Sequence, residues 1–275
     1  MISETALRLY AAKKEGILKS NVQFWREFAH IEAVNALPVD PEKYERELQD
    51  AGFRLTCALD EDFPPLPPCK PSERPYLFAY RGNLSLLQDR AKSVAVVGTL
   101  TSTEAVLRRE KAAVKALAER GFTVVSGLAR GCDTAAHETC LACGGKTVAV
   151  LPTPLSNIYP KENRALAERI VQSGGLVLSE YVTEPVTRYE RIGRFVARDR
   201  LQAMFAGNIL LIASHLPGAG DSGSRHAMDK AKAYGTRRFV LYDPATDEDD
   251  PLFALNRQYL NEGAAVLTRR TTEEL

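Results

Sequence analysis

The sequence predicts an α/β protein with a doubly wound, mostly parallel β-sheet, preceded by a small helical domain. Short apolar runs rich in valine, leucine and isoleucine recur along the chain, as in strands that are covered on both faces. Helix-like patterns separate these runs, and such alternation is typical of parallel strands joined by crossover helices. Strands are therefore expected at residues 76–80, 93–98, 122–126, 146–151, 176–180, 208–213 and 238–242, with a short edge strand near 264–267.

The first 75 residues differ from this pattern. Residues 1–60 contain helix-like segments with aromatic residues such as Phe24 and Trp25, and Pro41 stands at a favourable first helical position. This region is predicted to be a small helical N-terminal domain. Residues 61–75 are rich in proline, which favours a stiff, extended connector. The α/β domain is expected to span residues 76–275.

The composition is that of an ordinary soluble globular protein, since charged residues make up 26% of the 275 residues and the net charge is +1. There is no overall basic excess, so any nucleic-acid site must be a local patch. No apolar run is long enough to span a membrane, and the N-terminus lacks the apolar core of a signal peptide. A cytoplasmic protein without a membrane partner is expected.

The cysteines give no sign of a disulfide framework or a metal site. There are five of them, an odd number without regular spacing. Cys140 and Cys143 have the spacing of a CxxC pair, but they fall within a predicted helix and no second pair follows. Small buried thiols are the simpler interpretation, and neither a metal nor a cofactor is expected.

Small and hydroxyl residues directly follow three of the expected strands. The loops begin at Gly98-Thr99, at Ser126-Gly127 and within residues 217–224, and a helix-like pattern follows each. A helix N-terminus directs free N–H groups and partial positive charge at whatever lies above the strand, which suits a phosphate. Because ligands of open α/β sheets bind at the carboxyl ends of the strands, the loops predict one site for phosphate or a nucleotide. The alternative is that these glycines serve only tight turns and close helix–sheet packing.

The order of several motifs resembles the DprA (Smf) family of DNA-processing proteins. The similarity extends from Phe63 to Tyr242 and is most specific at residues 126–137, Ser-Gly-Leu-Ala-Arg-Gly-Cys-Asp-Thr-Ala-Ala-His. It also includes residues 63–66, 75–78, 81–83, 94–99, 144–151, 159–160, 163 and 178–181. The resemblance implies an extended Rossmann-like domain that binds single-stranded DNA in a basic pocket. It also implies a homodimer that delivers the recombinase RecA onto that DNA during natural transformation, with no catalytic step of its own.

Three segments depart from the family pattern. Leu100 stands where the family commonly has an arginine. Residues 195–200, Phe-Val-Ala-Arg-Asp-Arg, keep both arginines of a family motif but lack its proline and asparagine. The surroundings of the loop Ser222-Gly223-Ser224 are also unusual. The chain is therefore interpreted as a divergent member.

Phosphate contacts are predicted for the loops and for nearby cations, above all arginine, whose planar fork of donors suits phosphate oxygens. Arg198 and Arg200 are the main candidates, with salt bridges to neighbouring carboxylates as the alternative. The full predicted nucleic-acid-binding or phosphate-binding set is Gly98, Thr99, Ser126, Gly127, Arg130, Gly131, Lys161, Asn163, Arg164, Arg198, Arg200, Ser222, Gly223 and Ser224.

Other polar residues near these loops permit two interpretations each. Asp133 and His137 lie four residues apart and share a helix face. An acid–base pair is conceivable there, but an Asp that caps the helix and bonds to the His is the simpler explanation. Asn163 either orients a loop or donates to phosphate. Tyr159 either packs internally or stacks on a base.

Two further functions stay open beside DNA binding. The segment Pro217-Gly218-Ala219-Gly220 faintly resembles the loop of Rossmann-like nucleoside-monophosphate glycosidases. The glutamate expected after that loop is absent, and Asp229 is the nearest carboxylate beyond Asp221. The other possibility is a sensor that binds a nucleotide-derived ligand and signals through the N-terminal helices.

Overall fold

A computed structural model describes residues 2–220 and 223–273 of the chain. Its strands are β1 (Arg54–Cys57), β2 (Leu77–Gly82), β3 (Ser93–Val97), β4 (Thr123–Ser126), β5 (Thr147–Leu151), β6 (Leu176–Ser179), β7 (Asn208–Leu211), β8 (Arg237–Val240) and β9 (Ala265–Val266). Its α-helices are α1 (Glu4–Lys14), α2 (Asn21–Glu27), α3 (Ile31–Asn35), α4 (Glu42–Asp50), α5 (Glu104–Glu119), α6 (Cys132–Ala142), α7 (Arg164–Gln172), α8 (Arg188–Met204), α9 (Ser224–Ala233), α10 (Pro244–Asp247), α11 (Ala254–Asn261) and α12 (Arg269–Glu273).

Over the described residues the strands form one nine-stranded sheet in the order β1-β2-β6-β5-β4-β3-β7-β8-β9. The pairs from β6 through β9 are parallel, and only β1–β2 and β2–β6 are antiparallel. The chain moves outward from β3 to β6, and then crosses back to place β7 on the other side of β3. This confirms the doubly wound, mostly parallel α/β fold, and each strand expected from residue 76 onward is present.

Both faces of the sheet are covered, which explains why its central strands consist mainly of apolar residues. Val94 and Val96 of β3 belong to a buried cluster that includes residues of α5 and α6. Ala95 and Val97, which point to the opposite face, belong to a cluster that includes residues of α8, α9 and α11. Alternate residues of one strand therefore reach two cores.

The N-terminal helices pack against the sheet. Leu7 and Leu9 of α1 lie in the same buried cluster as Leu151 of β5 and Val177 of β6. The expectation that residues 1–60 are helical is wrong at its end, because Arg54–Cys57 forms β1 and pairs with β2. Four residues are too few for a clear alternation in the sequence, so this edge strand carried no usable signal. The division into a domain, a connector and a second domain stays a prediction.

Candidate nucleic-acid-binding cleft

A cleft of about 650 Å³ opens at the carboxyl ends of the central strands. Its lining comes from the loops after β3 and β4, from the segment after β5, and from helices α8 and α9. The position next to β3, where the strand order reverses, is the one at which ligands of open α/β sheets bind. Six of the predicted site residues line it: Gly98, Gly127, Arg130, Arg198, Gly223 and Ser224.

The glycines of the first two loops are required by close packing. A Cβ atom on Gly127 would lie 1.5 Å from Nη1 of Arg198, and one on Gly98 would lie 2.5 Å from Sγ of Cys132. Gly131 has a φ of +72° and faces the carbonyl of Thr99, which accepts a hydrogen bond from Cys132 N–H at 3.2 Å. These three positions therefore have a packing reason to be glycine, whether or not they also approach a ligand.

The loop between β4 and α6 is held by two side chains. Oδ2 of Asp133 accepts hydrogen bonds from the N–H groups of Gly127 and Ala129, at 3.1 and 3.2 Å. Nδ2 of Asn163 donates to the carbonyl of Leu128 at 2.8 Å. Leu128 lies between these contacts with a φ of +60°, a region that a leucine enters only at a cost. Asn163 thus orients this loop, one of its two predicted roles.

The expected helix cap at Asp133 is wrong, because α6 begins after Gly131 and Asp133 binds the preceding loop instead. His137 is fully buried, and its Nδ1 bonds to Oγ1 of Thr147 at 2.7 Å. Burial lowers the pKa of His137 to about 3. His137 does not line the cleft, so the structure does not assemble an Asp–His pair there.

Arg198, Asp199 and Gln202 come from one turn of α8 and, with Asp133, form what we call the floor of the cleft. Nη1 of Arg198 donates to the carbonyl of Val150 at 3.0 Å, and its Nε lies 3.1 Å from Oδ1 of Asp199. The same Asp199 oxygen accepts from Nε2 of Gln202 at 3.2 Å. The guanidinium of Arg198 thus lies between the Val150 carbonyl and the Asp199 carboxylate. Burial raises the pKa of Asp133, and the positive charge of Arg198 partly opposes this rise.

Arg200 does not reach the cleft. It is 6% exposed, and its guanidinium donates to both carboxylate oxygens of Glu180, at 2.7 and 2.6 Å. Its Nε donates to the carbonyl of Glu73 at 2.8 Å. The predicted phosphate contact of Arg200 is thus replaced in this structure by a buried salt bridge, because its side chain points to another side of α8.

Three exposed cations lie in the segments that follow β4 and β5, and we call them the rim cations: Arg130, Lys161 and Arg164. Arg130 lines the cleft and is paired with Glu162. Lys161 directly follows the lining residues Tyr159 and Pro160, and Arg164 begins α7. Their exposure allows them to meet a polyanion without losing a buried partner.

The other predicted residues are placed as follows. Thr99 is 4% exposed, and its Oγ1 accepts a hydrogen bond from Thr101 N–H within its own loop. Ser126 is fully buried and donates to the carbonyl of Val96. Ser224 lines the cleft and donates to the carbonyl of Gly98 at 3.0 Å, which ties the first and third loops together. Gly223 precedes α9 with a φ of +90°, and Ser222 lies outside the described residues.

The walls of the cleft are apolar. Leu100, Tyr159, Ile192 and Val196 are each between 40% and 54% exposed and contribute to the lining. Tyr159 also makes an edge-to-face contact with Phe195, with ring centroids 5.4 Å apart. Leu100 and Asp199, two positions at which the sequence departs from the family pattern, both line the cleft.

Sequence reasoning missed Ile192, Gln202 and His226 as lining residues. Ile192 and Gln202 could have been found by treating residues 188–204 as a helix. Residues 192, 195, 199 and 202 then recur every three or four positions and share one helix face. Asp229 is the carboxylate nearest to the loop that resembles a glycosidase loop, and it does not line the cleft. It pairs with Arg225 and accepts a hydrogen bond from the hydroxyl of Tyr259.

Residues 2–220 and 223–273 contain no group of three or more His, Cys, Asp or Glu side chains arranged to hold a metal ion. Each of their helices is too short or too polar to cross a lipid bilayer.

The family model and the curated relatives that match this chain agree on one family. Residues 54–274 match the family described as DNA recombination-mediator protein A. Protein Smf of Synechocystis is 38% identical over 176 residues, which is 63% of this chain and 43% of that protein. The chain spans about half the length of the curated relatives it matches.

Two solved structures resemble the fold. DNA processing protein A (DprA) of Streptococcus pneumoniae superposes with a TM-score of 0.74 and 26% identity, covering 99% of this chain and 97% of that one. DNA processing protein A of Helicobacter pylori superposes with a TM-score of 0.65 and 24% identity, covering 81% of this chain and 94% of that one. The structure of that protein concerns its single-stranded DNA binding mode. The second likeness bears on the fold alone.

Proposed function

Because the chain belongs to the DNA recombination-mediator protein A (DprA/Smf) family, we propose that it binds single-stranded DNA in the cleft and acts without chemical turnover. Its role is to protect incoming single strands and to load RecA onto them as a homodimer. The observation that carries the proposal is the family match over residues 54–274, which contain every residue that lines the cleft.

The geometry supports a single strand as the ligand. The rim cations offer charge to phosphates, and the apolar walls offer surface to bases. A single strand exposes the faces of its bases, so aromatic and aliphatic side chains contact them without sequence preference. In a duplex the same faces are stacked and unavailable.

The direct test compares single-stranded and double-stranded DNA of equal length and sequence, by fluorescence anisotropy with the full chain. We expect the single strand to bind at least about tenfold more tightly, since each stacked base contributes roughly 1–3 kcal/mol. Equal affinity for both forms, or no binding of either, would refute the proposal.

The proposed partners need separate measurements. Sedimentation equilibrium should show a dimer, and a monomer at all concentrations would contradict this part. RecA should hydrolyse ATP faster on single strands precoated with a single-strand-binding protein when this chain is added. An unchanged rate of ATP hydrolysis would refute the proposed RecA loading but not the proposed DNA binding.

A further inference from the structure

A second cleft, of about 790 Å³, lies on another side of helix α8 from the cleft at the strand ends, which we call the first cleft. Its lining comes from α1 and the segment after it, from residues 72–76, from the segment after β6, and from α8 and α9. Val196 of α8 lines both clefts. The N-terminal half of α8 is therefore a ridge between two neighbouring depressions.

The second cleft carries an excess of positive charge. Each of the three carboxylates in its lining pairs with one cation: Glu73 with Lys230, Glu180 with Arg200, and Glu190 with Arg194. Two further lysines line it, Lys13 and Lys19. Within the part of the chain that the structure describes, no carboxylate oxygen lies within 4.0 Å of either ammonium group. The cleft thus offers two unpaired positive charges to an anion.

Tyr76 adds a hydrogen-bond donor that has no acceptor. It lines the second cleft and is 1% exposed, and its hydroxyl is buried without a hydrogen-bond partner among the described residues. Burial raises the pKa of Tyr76, so the hydroxyl keeps its proton. A buried donor without an acceptor costs free energy, and an anion that accepts from this hydroxyl would remove that cost.

Lys13 lies beside this donor. Its Nζ is 4.8 Å from the centre of the Tyr76 ring and donates one hydrogen bond, to the carbonyl of Glu180 at 2.7 Å. An ammonium group has three N–H donors, so two others are available to a ligand. Burial lowers the pKa of Lys13 to about 8, and a bound anion would stabilise its charged form.

The ridge between the clefts is apolar and exposed. Ile192 lines the first cleft and is 54% exposed, whereas Tyr189 lines the second and is 88% exposed. Together with Val196 these residues recur every three or four positions and form one stripe along α8. Such a stripe suits the bases of a single strand, since an aromatic face stacks on any base.

We propose that the second cleft is a phosphate-binding subsite for the same single strand. The strand leaves the first cleft, crosses the ridge, and places neighbouring phosphates against Lys13 and Lys19, one of them accepting from the hydroxyl of Tyr76. This inference rests on the proposed function and extends the DNA path across α8 to the N-terminal helices. A short strand fills the first cleft alone, and a longer one reaches both.

The experiment measures the affinity of fluorescent thymidine oligomers from about 4 to about 16 nucleotides, the usual span of single-strand site sizes, at several salt concentrations. A double variant, Lys13→Gln with Lys19→Ala, should bind the longest oligomer about tenfold more weakly than wild type. Its slope of log affinity against log salt should fall by about 1.4, since each phosphate contact contributes about 0.7. The shortest oligomer should bind both proteins equally. Lys111→Ala with Lys115→Ala, which changes two exposed lysines of α5 outside both linings, is the matched control.

Tyr76→Phe tests the subsite without a change of charge. It removes a hydroxyl that has no partner among the described residues, so stability should not fall. Affinity for the longest oligomer should fall about fivefold, and that for the shortest should stay unchanged. A hydroxyl that never meets the DNA would leave both affinities at the wild-type value.

The outcomes separate the two levels of the proposal. If the wild-type chain binds no oligomer of any length, the proposed function fails and the subsite fails with it. If the shortest oligomer binds but the lysine variant loses no more affinity for the longest one than the control does, only the subsite is refuted. An equal loss at every length refutes it too. Thermal melting shows whether each variant is folded, and Lys19→Ala alone, at an exposed position, is decisive if the double variant is not.

Discussion

Asn163 shows how one side chain fixes the shape of a binding loop. Its Nδ2 donates to the carbonyl of Leu128 and to Oγ1 of Thr134, both at 2.8 Å. Both acceptors belong to the loop and helix start after β4, which Asp133 holds from the other side. The loop keeps its strained leucine because these contacts outweigh the strain.

Asn163→Ala should therefore destabilise the protein. It leaves the buried carbonyl of Leu128 without this donor, so we expect a loss of about 1–3 kcal/mol in the free energy of unfolding. Urea denaturation measures it. Arg164→Ala, at the exposed neighbouring position, is the control and should change stability by less than about 0.5 kcal/mol. An Asn163→Ala variant as stable as this control would contradict the role given to Asn163.

Glu110 is a buried carboxyl group that the binding site does not use. It is fully buried, and neither of its oxygens has a hydrogen-bond partner. Burial raises the pKa of Glu110 from 4.5 to about 8. The folded chain thus holds a proton that the unfolded chain releases between these two values, and this contribution to stability falls as the pH rises from about 4.5 to about 8.

Glu110→Gln removes this titration and retains the shape of the side chain. Relative to wild type, the variant should gain stability as the pH rises from 5 to 8, by up to roughly 1.4 kcal/mol per pH unit where the proton difference is complete. Urea denaturation at several pH values measures the difference. A constant difference across the range would show that Glu110 is ionised in the folded state.

At the scale of elements, helix α8 connects the cleft to the N-terminal part of the molecule. Arg198 and Gln202 face the cleft, whereas Arg200 is directed at Glu180, at the end of β6. Lys13 of α1 donates to the carbonyl of Glu180 at 2.7 Å. The position of α8, and with it the floor of the cleft, is therefore tied to β6 and α1.

Arg200→Leu should be severely destabilising. Removal of one partner from a buried ion pair typically costs about 3–5 kcal/mol, because the buried carboxylate of Glu180 loses the guanidinium that is paired with it. Thermal or urea denaturation measures the loss. Arg188→Leu changes an exposed arginine of the same helix and should leave stability nearly unchanged. Equal stability of the two variants would show that the Arg200–Glu180 pair does not hold α8.

Helical geometry also explains the error in the sequence interpretation of this segment. The sequence makes both Arg198 and Arg200 candidates for phosphate contact, yet residues two apart lie about 200° apart around a helix. Once residues 188–204 are known to be one helix, only one of the two arginines can face the cleft. The sequence alone does not tell which side of this helix faces the cleft, and therefore not which arginine lies there.

At the scale of the whole molecule, the sequence predicted the fold better than the site. Buried strands such as Ser93–Val97 are almost entirely apolar because both faces are covered, and that pattern is visible without coordinates. The floor of the cleft depends on which side chains α8 and α9 present beside three loops, and that follows only from tertiary packing. The glycine loops indicated where the site lies, but not that carboxylates accompany its arginine.

The central claim is that single-stranded DNA binds at this cleft through the rim cations, and its most direct test is the salt dependence of binding. Changing Arg130, Lys161 and Arg164 together to alanine should weaken single-strand binding and lower the slope of log affinity against log salt by about 2, since each phosphate contact contributes about 0.7. Changing Arg108, Lys111 and Lys115, exposed cations of α5 outside the cleft lining, to alanine is the matched control and should leave the slope unchanged. If the slope is unchanged in the Arg130, Lys161 and Arg164 variant, or falls equally in both variants, DNA binding through the rim cations is contradicted.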